Sequence, residues 1–137
     1  MSDVILVFAE SGDVKKEIYF QSGLMPVWKN FGMERLFINS DGISSEGLQL
    51  YTAHLNFEVY LKSQNFLVFD DQLGNPLDLS DVMIYEDEQA TSASELLEKD
   101  PDEAKKAILK AIWKPISDLV SVTVNYPDAV LYAEYFD

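Results

Sequence analysis

Between Tyr51 and Leu61 the apolar residues fall on every second position: Tyr51, Ala53, Leu55, Phe57, Val59 and Leu61. Thr52, His54, Asn56, Glu58 and Tyr60 alternate with them, so a pleated strand buries one face of this stretch and leaves the other to water or a thin polar layer. A helix divides the same residues differently. The stripe through Leu48, Tyr51, Leu55 and Val59 leaves Phe57 and Leu61 on other faces. The alternation predicts a long central strand, about 35 to 40 Å if unbent, a length that calls for a bulge or bend.

Before it, Asp3 to Ala9 is an almost unbroken apolar run rich in β-branched residues and reads as a strand covered on both faces. The turn cluster Glu10 to Asp13 and a second strand, Val14 to Gln21, complete a hairpin. Ser22 and Gly23 break the strand. Pro26 opens a short helix through Phe31, which Gly32 stops, and Trp28 and Phe31 are expected as core wall. Glu34 to Asn39 reads as a short strand, Ser40 to Gly42 as a turn, and Ile43 to Gly47 as a polar connection.

After it, Ser63 to Asn65 turns the chain, Phe66 to Asp70 reads as a strand antiparallel to the central one, and Asp71 to Pro76 turns it again. The spacing around Asp70 fails as a calcium loop, because glycine falls at the fifth position and an aspartate at the twelfth. Leu77 to Tyr85 is open between strand and helix, with Val82 to Tyr85 favouring strand. Glu86 to Gln89 must be a solvated rim, since adjacent carboxylates are not buried unpaired. Thr91 to Ser94 carries N-cap chemistry for a helical turn over Glu95 to Lys99.

Asp100-Pro101-Asp102-Glu103 is the clearest local signal: an acidic cap, proline at the first helical position and glutamate at the capping-box position. From there Ala104, Ala107, Ile108, Ala111, Ile112, Ile116 and Leu119 make one apolar stripe, with lysines opposite. Pro115 lies inside this pattern and predicts a kink or a break into two helices near Trp113. Val120 to Asn125 alternates as a strand, Tyr126 to Asp128 turns, and Ala129 to Phe136 is the last strand. The expected fold class is α+β: one compact domain over 1–137, a mostly antiparallel sheet covered on one face by a kinked C-terminal helix.

The 137 residues are 47% hydrophobic and 12% aromatic, enough for a core without staples. The absence of cysteine excludes disulfides and thiolate chemistry and agrees with a cytoplasmic protein. The short run Val4 to Ala9, between Asp3 and Glu10 with no basic residue before it, is expected to be a strand rather than a signal peptide, and no apolar run approaches membrane-spanning length. His54 is the lone histidine and completes no catalytic or zinc motif, so it is read as structural. Asp70 and Asp71 point to opposite strand faces and cannot act as a catalytic pair without a bulge. No cofactor or metal is expected, and the chain is not expected to be an enzyme.

The net charge of −14 carries the functional reading. Residues 1–68 hold 8 acidic and 5 basic side chains, whereas residues 69–137 hold 16 and 5. Such a field repels nucleic acid and anionic membrane and steers basic partners inward. A small, acidic, cysteine-free chain resembles bacterial immunity proteins in overall profile, with no motif tying it to one family. The expected function is inhibition of a basic toxin, a nuclease for example, through an acidic surface with aromatic anchors. The expected contacts are Asp81, Tyr85, Glu86, Asp87 and Glu88, followed by Tyr132, Tyr135 and Asp137. The alternative is a structural or adaptor subunit of a phage or secretion assembly.

Overall fold

A computed structural model describes residues 4–38, 41–63, 78–86 and 89–136. Strands β1 (Val4–Ser11) and β2 (Val14–Gln21) form the expected hairpin, paired from Val4↔Gln21 to Ser11↔Val14. Its two-residue turn puts Gly12 at the first central position with φ +57°, which suits a type II′ connection. The last strand, β6 (Val130–Phe136), pairs antiparallel with the other side of β1. Beyond it lies β3, only Ile43–Ser44, so the sheet order is β2-β1-β6-β3. The chain is an α+β domain with this antiparallel sheet and a long C-terminal helix.

Strand alternation gives the sheet two unlike faces. Ile5, Val7 and Ala9 of β1, Ile18 and Phe20 of β2 and Leu131 of β6 share the inner face and are buried. Over them packs α6 (Pro101–Asn125), through Ile108, Ile112, Ile116 and Leu119. Its start matches expectation, with Asp100 Oδ1 accepting the Glu103 N–H at 3.3 Å and Pro101 in the first turn. Of the kink or break expected near Trp113, the break does not occur: α6 is one helix through Pro115. Proline has no N–H for the Ala111 carbonyl, but its buried ring adds to the core stripe. In the same turn the Trp28 indole donates to the Ile112 carbonyl at 3.0 Å and ties this part of α6 to the chain after β2.

The helix also absorbs Val120 to Asn125, expected as a strand. Thr123 is buried there; its hydroxyl donates to the Val120 carbonyl and meets the Tyr51 hydroxyl at 3.1 Å. These contacts and the unbroken backbone ladder outweigh the strand preference of β-branched residues.

Between β2 and β3 the chain is helical. A 3₁₀ turn at Ser22–Leu24 leads into α1 (Met25–Trp28), with Pro26 in its first turn as expected. Phe31 and Gly32 leave helical geometry, Gly32 at φ +83°, and turn the chain into α2 (Glu34–Ile38). The strand expected at Glu34 to Asn39 is therefore a helix over its described part. Met33, Leu36 and Phe37 are buried at helical spacing while Ile38 is exposed. Phe37, Trp28 and Phe20 meet as an aromatic knot, with Phe20 edge-on to both. After β3 a short α3 (Ser45–Leu48) is capped by Ser44 Oγ, which accepts the Gly47 N–H at 2.9 Å. The polar connection is thus an edge strand and a helical turn.

The largest correction is the central strand itself, which is α4 (Leu50–Ser63). Gln49 ends α3 in a left-handed conformation and its carbonyl accepts the Ala53 N–H, starting the new helix. Leu50, Ala53 and Phe57 recur at helical spacing and are buried. Tyr51, Leu55 and Val59 form the opposite, exposed stripe, so the alternating set splits between two faces. Phe57 packs edge-on to Phe31 and stacks with Trp113, while His54 lies 4.2 Å from the Trp113 ring. His54 thus joins α4 to α6 as a packing residue.

The segment 78–86 opens with Asp78, whose carboxylate accepts the Ser80 N–H, and continues into β4 (Met83–Glu86). Strand β4 forms a hairpin with β5 (Gln89–Ser92), which leads into α5 (Ala93–Lys99) against α6. The strand reading of Val82 to Tyr85 and the helix over Glu95 to Lys99 agree with this. The expected strand Phe66 to Asp70 and turn Asp71 to Pro76 lie outside the described residues. No described helix is long and apolar enough to cross a membrane.

Candidate protein-binding surfaces

Two surfaces follow from this arrangement. One is a groove between β2, β4 and α6. The Gln21 side-chain amide bonds both backbone groups of Met83: its nitrogen donates to the carbonyl at 2.7 Å and its oxygen accepts the N–H at 3.0 Å. A side chain thereby holds β4 beside the end of β2 in place of a strand ladder. Between that clamp and α6 lies a cavity of about 620 Å³, walled by Tyr19, Tyr85, Met83, Lys114, Pro115 and Val122 among others. Tyr85, at 61% exposure, carries a large contact area at its rim.

The other surface is the outer face of the sheet. The strand registers place Leu6, Phe8 and Glu10 beside Lys15, Glu17 and Tyr19 on one flank, and beside Val130, Tyr132, Glu134 and Phe136 on the other. Phe8 is only 4% exposed although no described helix covers this face. Tyr132 stacks on it at 5.3 Å and the Lys15 ammonium sits 4.3 Å above its ring. Lys15 also lies 3.8 Å from Glu10, which accepts the Tyr132 hydroxyl. That hydrogen bond to a carboxylate, with some burial, holds the Tyr132 phenol protonated above its ordinary range, and the contact with Tyr132 raises Lys15 in turn. Three carboxylates, Glu10, Glu17 and Glu134, face one ammonium, Lys15, so the face is acidic as well as aromatic.

The expected contact residues divide between these surfaces. Asp81 and Tyr85 are exposed on the segment leading through β4, and Glu86 ends that strand. Asp87, Glu88 and Asp137 lie outside the described residues. Tyr132 belongs to the outer face. Tyr135, three residues on, projects from the opposite face and donates its hydroxyl to the Phe37 carbonyl; burial pushes its phenol up. The two tyrosines are therefore not parts of one surface. Sequence reasoning missed Tyr19 and Phe8 as surface aromatics, and placed Phe136 on the last strand. The hairpin register carries the signal for the first two, because a two-residue turn after Ser11 sets Leu6 opposite Tyr19 and Phe8 opposite Glu17.

Among the described residues no group of three or more histidine, aspartate or glutamate side chains is disposed to hold a metal. No family model, no curated protein and no solved structure matches the chain.

Proposed function

We propose that this protein is an inhibitor of the immunity or antitoxin kind, which binds a basic protein in the cytoplasm and occludes it. Binding, not catalysis, is the proposed activity, and no cofactor takes part. The observation that supports this most is the placement of Tyr85: a tyrosine 61% exposed at the rim of a groove, on an acidic segment with Asp81 and Glu86. An aromatic anchor beside carboxylates suits a basic surface, because the charges speed encounter and the ring supplies burial. A net charge of −14 extends the attraction beyond contact, within a Debye length of about 8 Å at physiological salt.

The test has two steps. Tagged protein captures partners from its own host lysate, with parallel washes at low and high salt. Association of the purified partner is then followed with Asp81→Lys and Tyr85→Ala. Asp81→Lys is expected to slow association and flatten its salt dependence, and Tyr85→Ala to speed dissociation by about tenfold or more. A partner indifferent to both substitutions defeats the proposal. The second reading, a structural or adaptor subunit, is favoured by one observation, the open edge of β2 among the described residues. Capture of a neutral assembly at both salts would support it.

A further inference from the structure

We infer that the protein forms a two-fold dimer by pairing β2 with β2 of a second copy. The strand edge and its charges carry this, rather than Tyr85, although Lys16, Glu17 and Ile18 of that edge also line the groove beside Tyr85. Strand β2 is an edge of the four-stranded sheet, and among the described residues no strand pairs with its outer side. Such an edge presents backbone donors and acceptors ready to extend the sheet. Its usable length is set by β4, which the Gln21 amide holds beside the end of β2. The stretch before this clamp runs from Val14 to Ile18, five residues or about 17 Å, and its Lys16, Glu17 and Ile18 border the groove that Met83 and Tyr85 also line.

That stretch is complementary to itself in one register. An antiparallel pair centred on Lys16 sets Lys15 of each copy opposite Glu17 of the other, and Val14 opposite Ile18. Opposed residues project to the same face, so both Lys15–Glu17 pairs lie on the outer surface. There Lys15 and Glu17 are exposed in the single chain. The same register keeps both helical layers on one side and joins the two sheets into eight strands. Centring on Glu17 instead brings two carboxylates together at the axis and drives Lys15 against Tyr19, toward the clamp. Registers centred between residues turn one copy over, so that inner-face Lys16 opposes outer-face Glu17 and the helical layers separate.

The register about Lys16 brings the two Lys16 side chains together on the inner face. Lys16 is exposed, so water screens this pair, and Asp118 of α6, which lines the same groove, is held by Lys114 at 3.2 Å. Lysines on an edge strand ordinarily discourage pairing with arbitrary partners. Here Lys15 is matched by a carboxylate two residues on, so the discouragement is lifted for a second copy of this chain. The occupant of the edge is identified by that charge complementarity.

The test is charge exchange, read by sedimentation equilibrium over a wide protein concentration range. The wild-type chain is expected to dimerise, and K15E and E17K are each expected to weaken the dimer about tenfold, since each turns two attractive cross-strand pairs into repulsive ones. The double variant K15E/E17K exchanges the charges and is expected to regain most of the affinity. An equimolar mixture of the two single variants is expected to form heterodimers tighter than either variant alone. Because Lys15 also contacts Glu10 and Phe8, folding of K15E is checked by circular dichroism, and E17K provides a substitution outside those contacts. A monomer at every concentration, a dimer indifferent to the single reversals, or a mixture no tighter than its components would each overturn the inference. Failure to capture a basic partner would leave these results unchanged.

Discussion

Leu55 and Phe57 distinguish the two backbones that the stretch from Tyr51 to Leu61 allows. On a strand they point to the same face and both belong to the core. On α4 they part: Phe57 is fully buried against Phe31 and Trp113, while Leu55 is 60% exposed. Phe57→Ala removes a ring from that aromatic contact and leaves a cavity, at a cost of about 3 to 5 kcal/mol. Leu55→Glu puts a good helix former on a solvated face and should move stability by no more than about 0.5 kcal/mol. The total stability expected for this length is about 7 to 20 kcal/mol, so both variants should fold. Urea unfolding followed by far-ultraviolet circular dichroism reads both. Phe57→Ala should lower the midpoint by about 2 M at an unchanged slope of about 1.5 to 2 kcal/mol per molar, and Leu55→Glu should leave it nearly in place. A Leu55→Glu loss as large as that of Phe57→Ala would refute the assignment of the buried face.

Three further outcomes can be measured. Trp28→Phe loses the indole hydrogen bond to the Ile112 carbonyl and part of a buried ring system, about 2 to 3 kcal/mol in all, and should lower the thermal midpoint by about 10 °C; a shift under about 2 °C would dismiss Trp28 as the link between α1 and α6. Gly42 sits at φ +89° with a would-be Cβ 2.3 Å from Val130 Cγ1, so Gly42→Ala should cost about 2 kcal/mol or more, and adding Val130→Ala should recover the clash but not the backbone strain in a double-mutant cycle by urea melt. The folded state favours the neutral phenol of Tyr132, so its contribution to stability is whole below the ordinary tyrosine range near pH 10 and is lost as pH rises through the higher folded value. Absorbance titration should show Tyr132 and Tyr135 ionising late, and Tyr132→Phe or Glu10→Gln should remove or advance one of these two steps while the Tyr135 step stays.

Local chemistry made several elements legible. Asp100-Pro101 with Glu103 marks the start of α6 because the cap and the proline act within one turn of backbone. The hairpin of β1 and β2 is equally local, since Gly12 in a two-residue turn sets the register and the register sets both faces. The exposed Tyr85 on an acidic segment was likewise readable, because adjacent carboxylates keep a segment at the surface.

Tertiary structure decided the rest, wherever one pattern satisfied two geometries. Leu50, Ala53 and Phe57 fit a helix as well as Ala53, Leu55 and Phe57 fit a strand, and only the space between Phe31 and Trp113 selects the first. Val120 to Asn125 alternates like a strand, yet it continues about five preceding turns of α6, and Thr123 meets Tyr51 from a different helix. Pro115 is tolerated because its ring is buried and a tryptophan 87 positions earlier bonds the adjacent carbonyl. The sequence by itself determined charge, caps, turns and the first hairpin, all set by contacts a few residues apart. The faces of α4, the continuity of α6 and the groove beside Tyr85 depend on partners distant in the chain, whose burial energy outweighs local preference.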